Sequence, residues 1–149
     1  VAPRFRFQTL LDYKSRLVDD LRLEMARKQQ TLQRLQQERR RLQETRSRVA
    51  DELQTKMQKG LSIQAVRQTY QYLDFLEQAL VNLDERIRQA EDQVADVRQR
   101  LAEALKERKT FEKLREYAMA ELRTRLQKRE AEALDDLNIA RYFHSEPRS

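Results

Sequence analysis

The sequence predicts an all-α fold: two long helices forming an antiparallel two-stranded coiled-coil hairpin, the second helix longer. Three observations predict it. Gly60 is the only glycine in 149 residues, and the two prolines, Pro3 and Pro147, stand near the chain ends, so only Gly60 interrupts an otherwise helix-compatible chain. Apolar residues recur in alternating steps of four and three on both sides of it. Composition is the third. The chain is 39% hydrophobic and 38% charged, where ordinary domains run about 45–50% apolar and about 25% charged. Such an excess of solvated residues fits a thin rod better than a compact globule. Disorder is the competing reading of so much charge. It is opposed by the dominance of Leu, Arg, Gln, Glu and Ala and by the near absence of Pro and Gly.

Residues 1–149 read as a single coiled-coil hairpin domain, with a helix over about 5–58, a turn over about 59–62, a helix over about 63–140 and a tail over 141–149. The first seam runs Phe7, Leu11, Lys14, Val18, Leu21, Met25, Lys28, Leu32, Leu35, Arg39, Leu42, Arg46, Val49, Leu53, Lys56. Ten of these fifteen positions are apolar, and the register never skips. The five exceptions are Lys or Arg, whose stems cover a seam while their heads reach water. A two-stranded pair permits that. A thick bundle would bury the charges at several kcal/mol each.

The break follows from local chemistry. Gly60 can take the left-handed conformation that closes a helix. Ser62 is a good N-cap, with Leu61 and Val66 at the two positions of a hydrophobic staple.

The second seam runs Val66, Thr69, Leu73, Leu76, Leu80, Leu83, Ile87, Ala90, Val94, Val97, Leu101, Ala104, Arg108, Phe111, Arg115, Ala118, Leu122, Arg125. Past Phe111 a second stripe appears at Leu114, Ala118, Leu122 and Leu126, continued by Leu134 and Leu137. After Ile139, RYFHSEPRS reads as a fraying tail. At 1.5 Å per residue the helices run roughly 80 Å and roughly 115 Å. Folding back about Gly60 sets Phe7 near Arg115 and leaves the chain past about residue 120 without a partner, on the order of 30 Å of helix. An isolated helix of that length is marginal in water, and an exposed apolar stripe marks a binding surface. The end that carries both termini is therefore expected to dock into something else.

Catalysis has no foothold. The single histidine, His144, lies in the tail without a base–nucleophile pair. One glycine cannot build a phosphate loop. The carboxylates alternate with basic residues, as Glu103 and Glu107 do with Lys106 and Arg108, in the manner of solvated ion-pair faces. No enzyme activity, cofactor or metal site is expected. Without cysteine there is no disulfide. No apolar run approaches the roughly 20 residues that span a bilayer, and the N-terminus has no signal-peptide core, so the chain is read as soluble and cytoplasmic.

The net charge of +6 favours acidic partners in general. Arg39, Arg40 and Arg41 with Arg46 and Arg48 form the best nucleic-acid candidate. Glu38, Glu44, Asp51 and Glu52 balance them and no aromatic residue interleaves. No nucleic-acid partner is expected. The aromatics are more specific: Phe5 and Phe7 fall at the open end with Phe111 and Tyr117, and Tyr70, Tyr72 and Phe75 follow the turn. Tyr72, Leu76, Ala79 and Leu83 share one side of the second helix, either as a binding patch or as a broadened seam.

The opening RFRFQTLLDYK, the turn KGLS, the segment YQYLDFLEQAL and the late KTFEKLRE occur in an order that resembles the flagellar export protein FliJ family along nearly the whole chain. The resemblance implies a hairpin similar to the central stalk subunit of rotary ATPases. Its terminal end would insert into the hexameric ring of the flagellar export ATPase FliI, and another face would contact the export-gate membrane protein FlhA. It further implies a general export-chaperone role that links ATP hydrolysis to gate opening, contacts with export chaperones, and residence at the cytoplasmic face of the flagellar basal body. Carried over by position, the export-gate face is Tyr72, Leu76, Ala79 and Leu83. Leu83, Thr45 and Val49 stand where family members often carry a histidine or other polar group and tyrosines. The ATPase-binding candidates are Phe5, Phe7, Leu122, Arg125, Leu126, Arg129 and Leu134, where apolar and basic residues suit a ring-inserted stalk. The isolated hairpin is expected to be a monomer. Two other readings stand beside this one: the equivalent stalk of a virulence type III secretion system, and a structural coiled coil that dimerises in parallel through the same heptads.

Overall fold

The computed structural model describes residues 5–145. Pro3, Arg4 and Pro147, used above as markers, lie outside them. The chain is all-α: α1 spans Gln8–Gln58 and α2 spans Ile63–Ser145. The two helices pack against each other and run antiparallel, and no strand occurs among the described residues. The parallel dimer is thereby replaced as the use of these heptads, because the two seams cover one another within the chain.

The boundaries have local causes. Before α1, the Gln8 amide donates to the Phe5 carbonyl at 3.0 Å, so residues 5–7 form a turn and the helix begins three residues later than the heptads alone imply. The Gln8 side-chain amide donates to Asp12 Oδ1 at 2.9 Å. At the C-terminus of α1, Gly60 has φ of 69°. The Leu61 amide donates to the Lys56 carbonyl and the Gly60 amide to that of Met57, both at 3.3 Å. This is the double closure of a Schellman motif, which satisfies carbonyls that the helix end would otherwise orphan. Ser62 Oγ then accepts the Ala65 amide at 3.3 Å, the N-cap bond that starts α2. Helix continues through residues 141–145, where the sequence predicts fraying; nothing in ARYFHS breaks a helix.

The chain divides into two compact units, Val18–Glu103 and Val1–Leu17 with Ala104–Ser149. In Val18–Glu103 the core is a single file of seam residues. Val18 and Val97 are almost fully enclosed, and Leu21, Leu35, Leu53, Leu76, Leu80, Leu83, Ala90 and Val94 are buried with them. Leu35, Leu83 and Ala90 form its packed cluster, with Leu32, Leu42 and Ile87 against it. The basic seam residues here do not merely reach water. Lys28 donates to Gln93 Oε1 at 3.1 Å, Arg39 to Asp84 Oδ1 at 2.5 Å, Arg46 to Glu77 Oε1 at 2.9 Å and Lys56 to Thr69 Oγ1 at 3.5 Å. Each spans the helix pair and pins its register. Arg100 adds a fifth tie, to Glu24 at 3.0 Å.

In the other unit the pairing is short. Leu11 and Ala104 are buried, Lys14 forms an ion pair with Glu107, and Phe7 packs on Phe111 with ring centroids 6.1 Å apart. Among the described residues from 112 onward only Met119 and Leu122 are even partly covered, and every residue over 123–145 is exposed.

Candidate functional site

Among the described residues, two patches of apolar surface that the chain's own packing leaves open bear on the expected contacts. One belongs to the unit formed by the start of α1 and the end of α2. The turn at residues 5–7 projects two rings from adjacent alternate positions, and Phe5 and Phe7 meet edge to face at 5.8 Å. Arg6, between them, folds its guanidinium over the Phe7 ring at 5.5 Å, a cation–π contact. Against this turn α2 presents Leu114, Ala118 and Leu122, residues four apart that stack on one face. The result is an open groove of about 400 Å³ lined by Phe5, Arg6, Phe7, Leu114, Tyr117, Ala118, Met119, Glu121, Leu122 and Arg125.

Of the residues predicted from sequence, Phe5, Phe7, Leu122 and Arg125 line this one groove. Leu126 and Leu134, 48% and 59% exposed, lie farther along α2 outside it, as does Arg129. Arg6 and Met119 were missed. The spacing gave no signal for Arg6, which depends on the turn that precedes α1, whereas Met119 stands three residues before Leu122 and seven before Leu126 on the same helical face. Leu114 and Tyr117 had a signal, the second stripe and the open-end aromatic cluster. Tyr142 and Phe143, 63% and 69% exposed, stand edge to face at 6.1 Å on the last helical turns, where the sequence predicts a tail.

The other place is at the start of α2, in Val18–Glu103. Tyr72 and Phe75 stack with centroids 6.5 Å apart and planes inclined by 14°, and both rings are largely exposed, as is Tyr70. The four residues expected to form the gate face do not share one environment. Tyr72 is exposed and Ala79 half-buried, while Leu76 and Leu83 are 2% and 3% exposed in the seam. Both leucines are already part of the helix–helix core and back the patch without surfacing on it. Thr45 turns its hydroxyl to the Arg41 carbonyl at 2.9 Å, and Val49 is half-buried.

Electrostatics divide the arginine run. Hydrogen bonding from Asp84, reinforced by its charge, holds the Arg39 guanidinium still further above its ordinary value. Glu24 does the same for Arg100. On α2, Arg88 holds the Glu85 carboxyl below the usual carboxylate range by hydrogen bond and charge. Arg39 and Arg46 are thus tied to α2, while Arg40, Arg41 and Arg48 face solvent. No group of three or more His, Cys, Asp or Glu side chains among the described residues is arranged to hold a metal ion. No helix among them is long and apolar enough to cross a membrane.

Compared with known families, residues 3–147 match the model described as flagellar FliJ protein. No curated protein and no solved structure gives a significant match.

Proposed function

The chain belongs to the flagellar FliJ protein family, a component of flagellar export, and on that premise we propose that it is the non-enzymatic stalk and adaptor of the export ATPase. The open end, with the Phe5–Phe7 turn and the exposed end of α2, inserts into the hexameric ring of FliI, promotes its activity and links it to the export gate. One observation supports this reading above the rest: the end of α2 carries Leu126, Leu134 and Leu137 at half exposure or thereabouts with no helix of its own chain against them. A single helix so placed gains stability only when another protein covers it. Arg125 and Arg129 on the same stretch suit carboxylates of a ring lining, where charge complementarity sets encounter and register.

The gate contact is proposed at the stacked Tyr72 and Phe75 rings and the flank of Ala79, with Leu76 and Leu83 as rigid backing. FlhA is the partner proposed there. Export chaperones are proposed as further partners, and the cytoplasmic face of the basal body as the place of action.

The test is truncation. A chain ending at residue 120 keeps every buried seam residue. It is expected to stay helical by circular dichroism, yet to lose binding to the cognate ATPase and the stimulation of its hydrolysis. Loss of helicity on truncation would mean that the exposed stretch supports the fold. Unchanged stimulation would remove the ring-docking role.

A further inference from the structure

The end of α2 carries its charge in two blocks. Arg123, Arg125, Lys128 and Arg129 are followed at once by Glu130, Glu132, Asp135 and Asp136. All eight are exposed, and none of them forms an ion pair with another of the described residues. A uniformly acidic partner would satisfy the first block and repel the second. Adjacent blocks of opposite sign are satisfied together by an identical helix laid antiparallel.

The apolar residues obey the same symmetry. At 100° per residue, Met119, Leu122, Leu126, Ala133, Leu137 and Ala140 fall within about 40° of one line along α2. Arg125, Arg129, Glu132 and Asp136 fall together on one flank of that line. In an antiparallel pair, like flanks of the two helices face each other. A two-fold axis passing near Glu130 sets Leu122 level with Leu137 of the second copy, Leu126 level with Ala133 and Leu134, and Met119 level with Ala140. On the flank it sets Arg125 level with Asp136 and Arg129 level with Glu132. Each of these contacts occurs twice, as an isologous interface requires.

We infer that the exposed end of α2 is a self-pairing surface, on which a second copy of this chain docks antiparallel when no other protein covers it. The interface is a single helix pair with few large apolar layers, and its ion pairs are solvated. It is therefore weak and reversible, populated at about 100 µM and above and dissociated at micromolar concentration. It covers Leu122, Leu126 and Leu137, so a self-paired chain is unavailable to any partner that uses the same stripe. This inference rests on the charge blocks and the exposure, and it stands whether or not the ATPase is that partner.

The experiment is a charge swap on the full chain, read by sedimentation at low salt with helicity monitored in parallel. The wild type is expected to shift from monomer to dimer with rising concentration. R125E/R129E and E132R/D136R are each expected to remain monomeric with unchanged helicity, because each sets like charges opposite one another at four points. Mixed in equal amounts, the two are expected to recover the dimer, since every one of those contacts then joins opposite signs. The chain has no cysteine, so Glu130→Cys offers an independent readout: oxidation should link it to its own copy, whereas Glu121→Cys should not link. A wild type that stays monomeric throughout overturns the inference. So do variants that associate like the wild type, or a mixture that fails to recover the dimer.

Discussion

Arg46 occupies a seam position where an aliphatic side chain would pack fully. Its terminal nitrogen reaches Glu77 at 2.9 Å, but its Nε is buried without a hydrogen-bond partner. An orphaned donor costs about 1–3 kcal/mol. The ion pair that accompanies it is well solvated, with Glu77 half exposed, and such a pair contributes about 0–1 kcal/mol. The cost exceeds the gain. Arg46→Met keeps an unbranched side chain as far as the position of Nε and removes the orphan, so it is expected to stabilise the chain by about 1 kcal/mol. Urea unfolding measures this directly. Destabilisation would show that the Glu77 tie contributes more than a solvated pair should. The same substitution at Arg39 is not equivalent, because its Nε donates to Asp84 at 2.5 Å and nothing is orphaned.

At the scale of the element, the turn tests the fold most economically. A Cβ added at Gly60 would meet nothing within 4 Å, so space is not the obstacle. The obstacle is φ of 69°, which an L side chain adopts at a cost of roughly 1–2 kcal/mol. Gly60→Ala is expected to lower the unfolding free energy by about that amount, with the denaturant midpoint as the readout. An unchanged midpoint would mean that the closure does not need a left-handed residue. This turn was legible because a single glycine in a helix-forming chain has few other uses. The seams were legible for a related reason: all fifteen first-seam positions, Phe7 and the fourteen in α1, are covered, and so are the α2 seam positions through Phe111. Period alone dictates which face is buried. The cross-seam partners of Lys28, Arg39, Arg46 and Lys56 were not legible. Naming them requires the register to within one residue, and a basic seam residue solvated by water has the same sequence. For the four residues proposed as the gate face, spacing does not separate surface from core. Tyr72 and Ala79 flank the stripe, whereas Leu76 and Leu83 lie on it, and a spacing of i, i+4, i+7, i+11 is shared by flank and core. The groove at Phe5 and Phe7 required the turn at residues 5–7, which has no periodicity to reveal it.

For the whole molecule, the exposed apolar surface is split between two units, and the proposed activities are split with it. The aromatic pair of Tyr72 and Phe75 belongs to Val18–Glu103, and the groove of Phe5, Phe7 and Leu122 belongs to the other unit. Replacing both Tyr72 and Phe75 with alanine removes two stacked rings from the surface of a helix. Alanine is the strongest helix former, and the backing residues Leu76 and Leu83 stay buried, so the fold should persist. The expected outcome is a loss of about tenfold or more in affinity for the cytoplasmic domain of the export gate, the size of loss that removing aromatic anchors produces at an interface. ATPase stimulation should remain near the wild-type level. The chain ending at residue 120 should show the reverse pattern, with gate binding retained and stimulation lost. A titration against each partner with both variants separates the cases. If the two activities fall together in either variant, they share one surface and the assignment of one partner to each unit is wrong. If the aromatic double substitution changes neither, the stacked rings are not the gate contact.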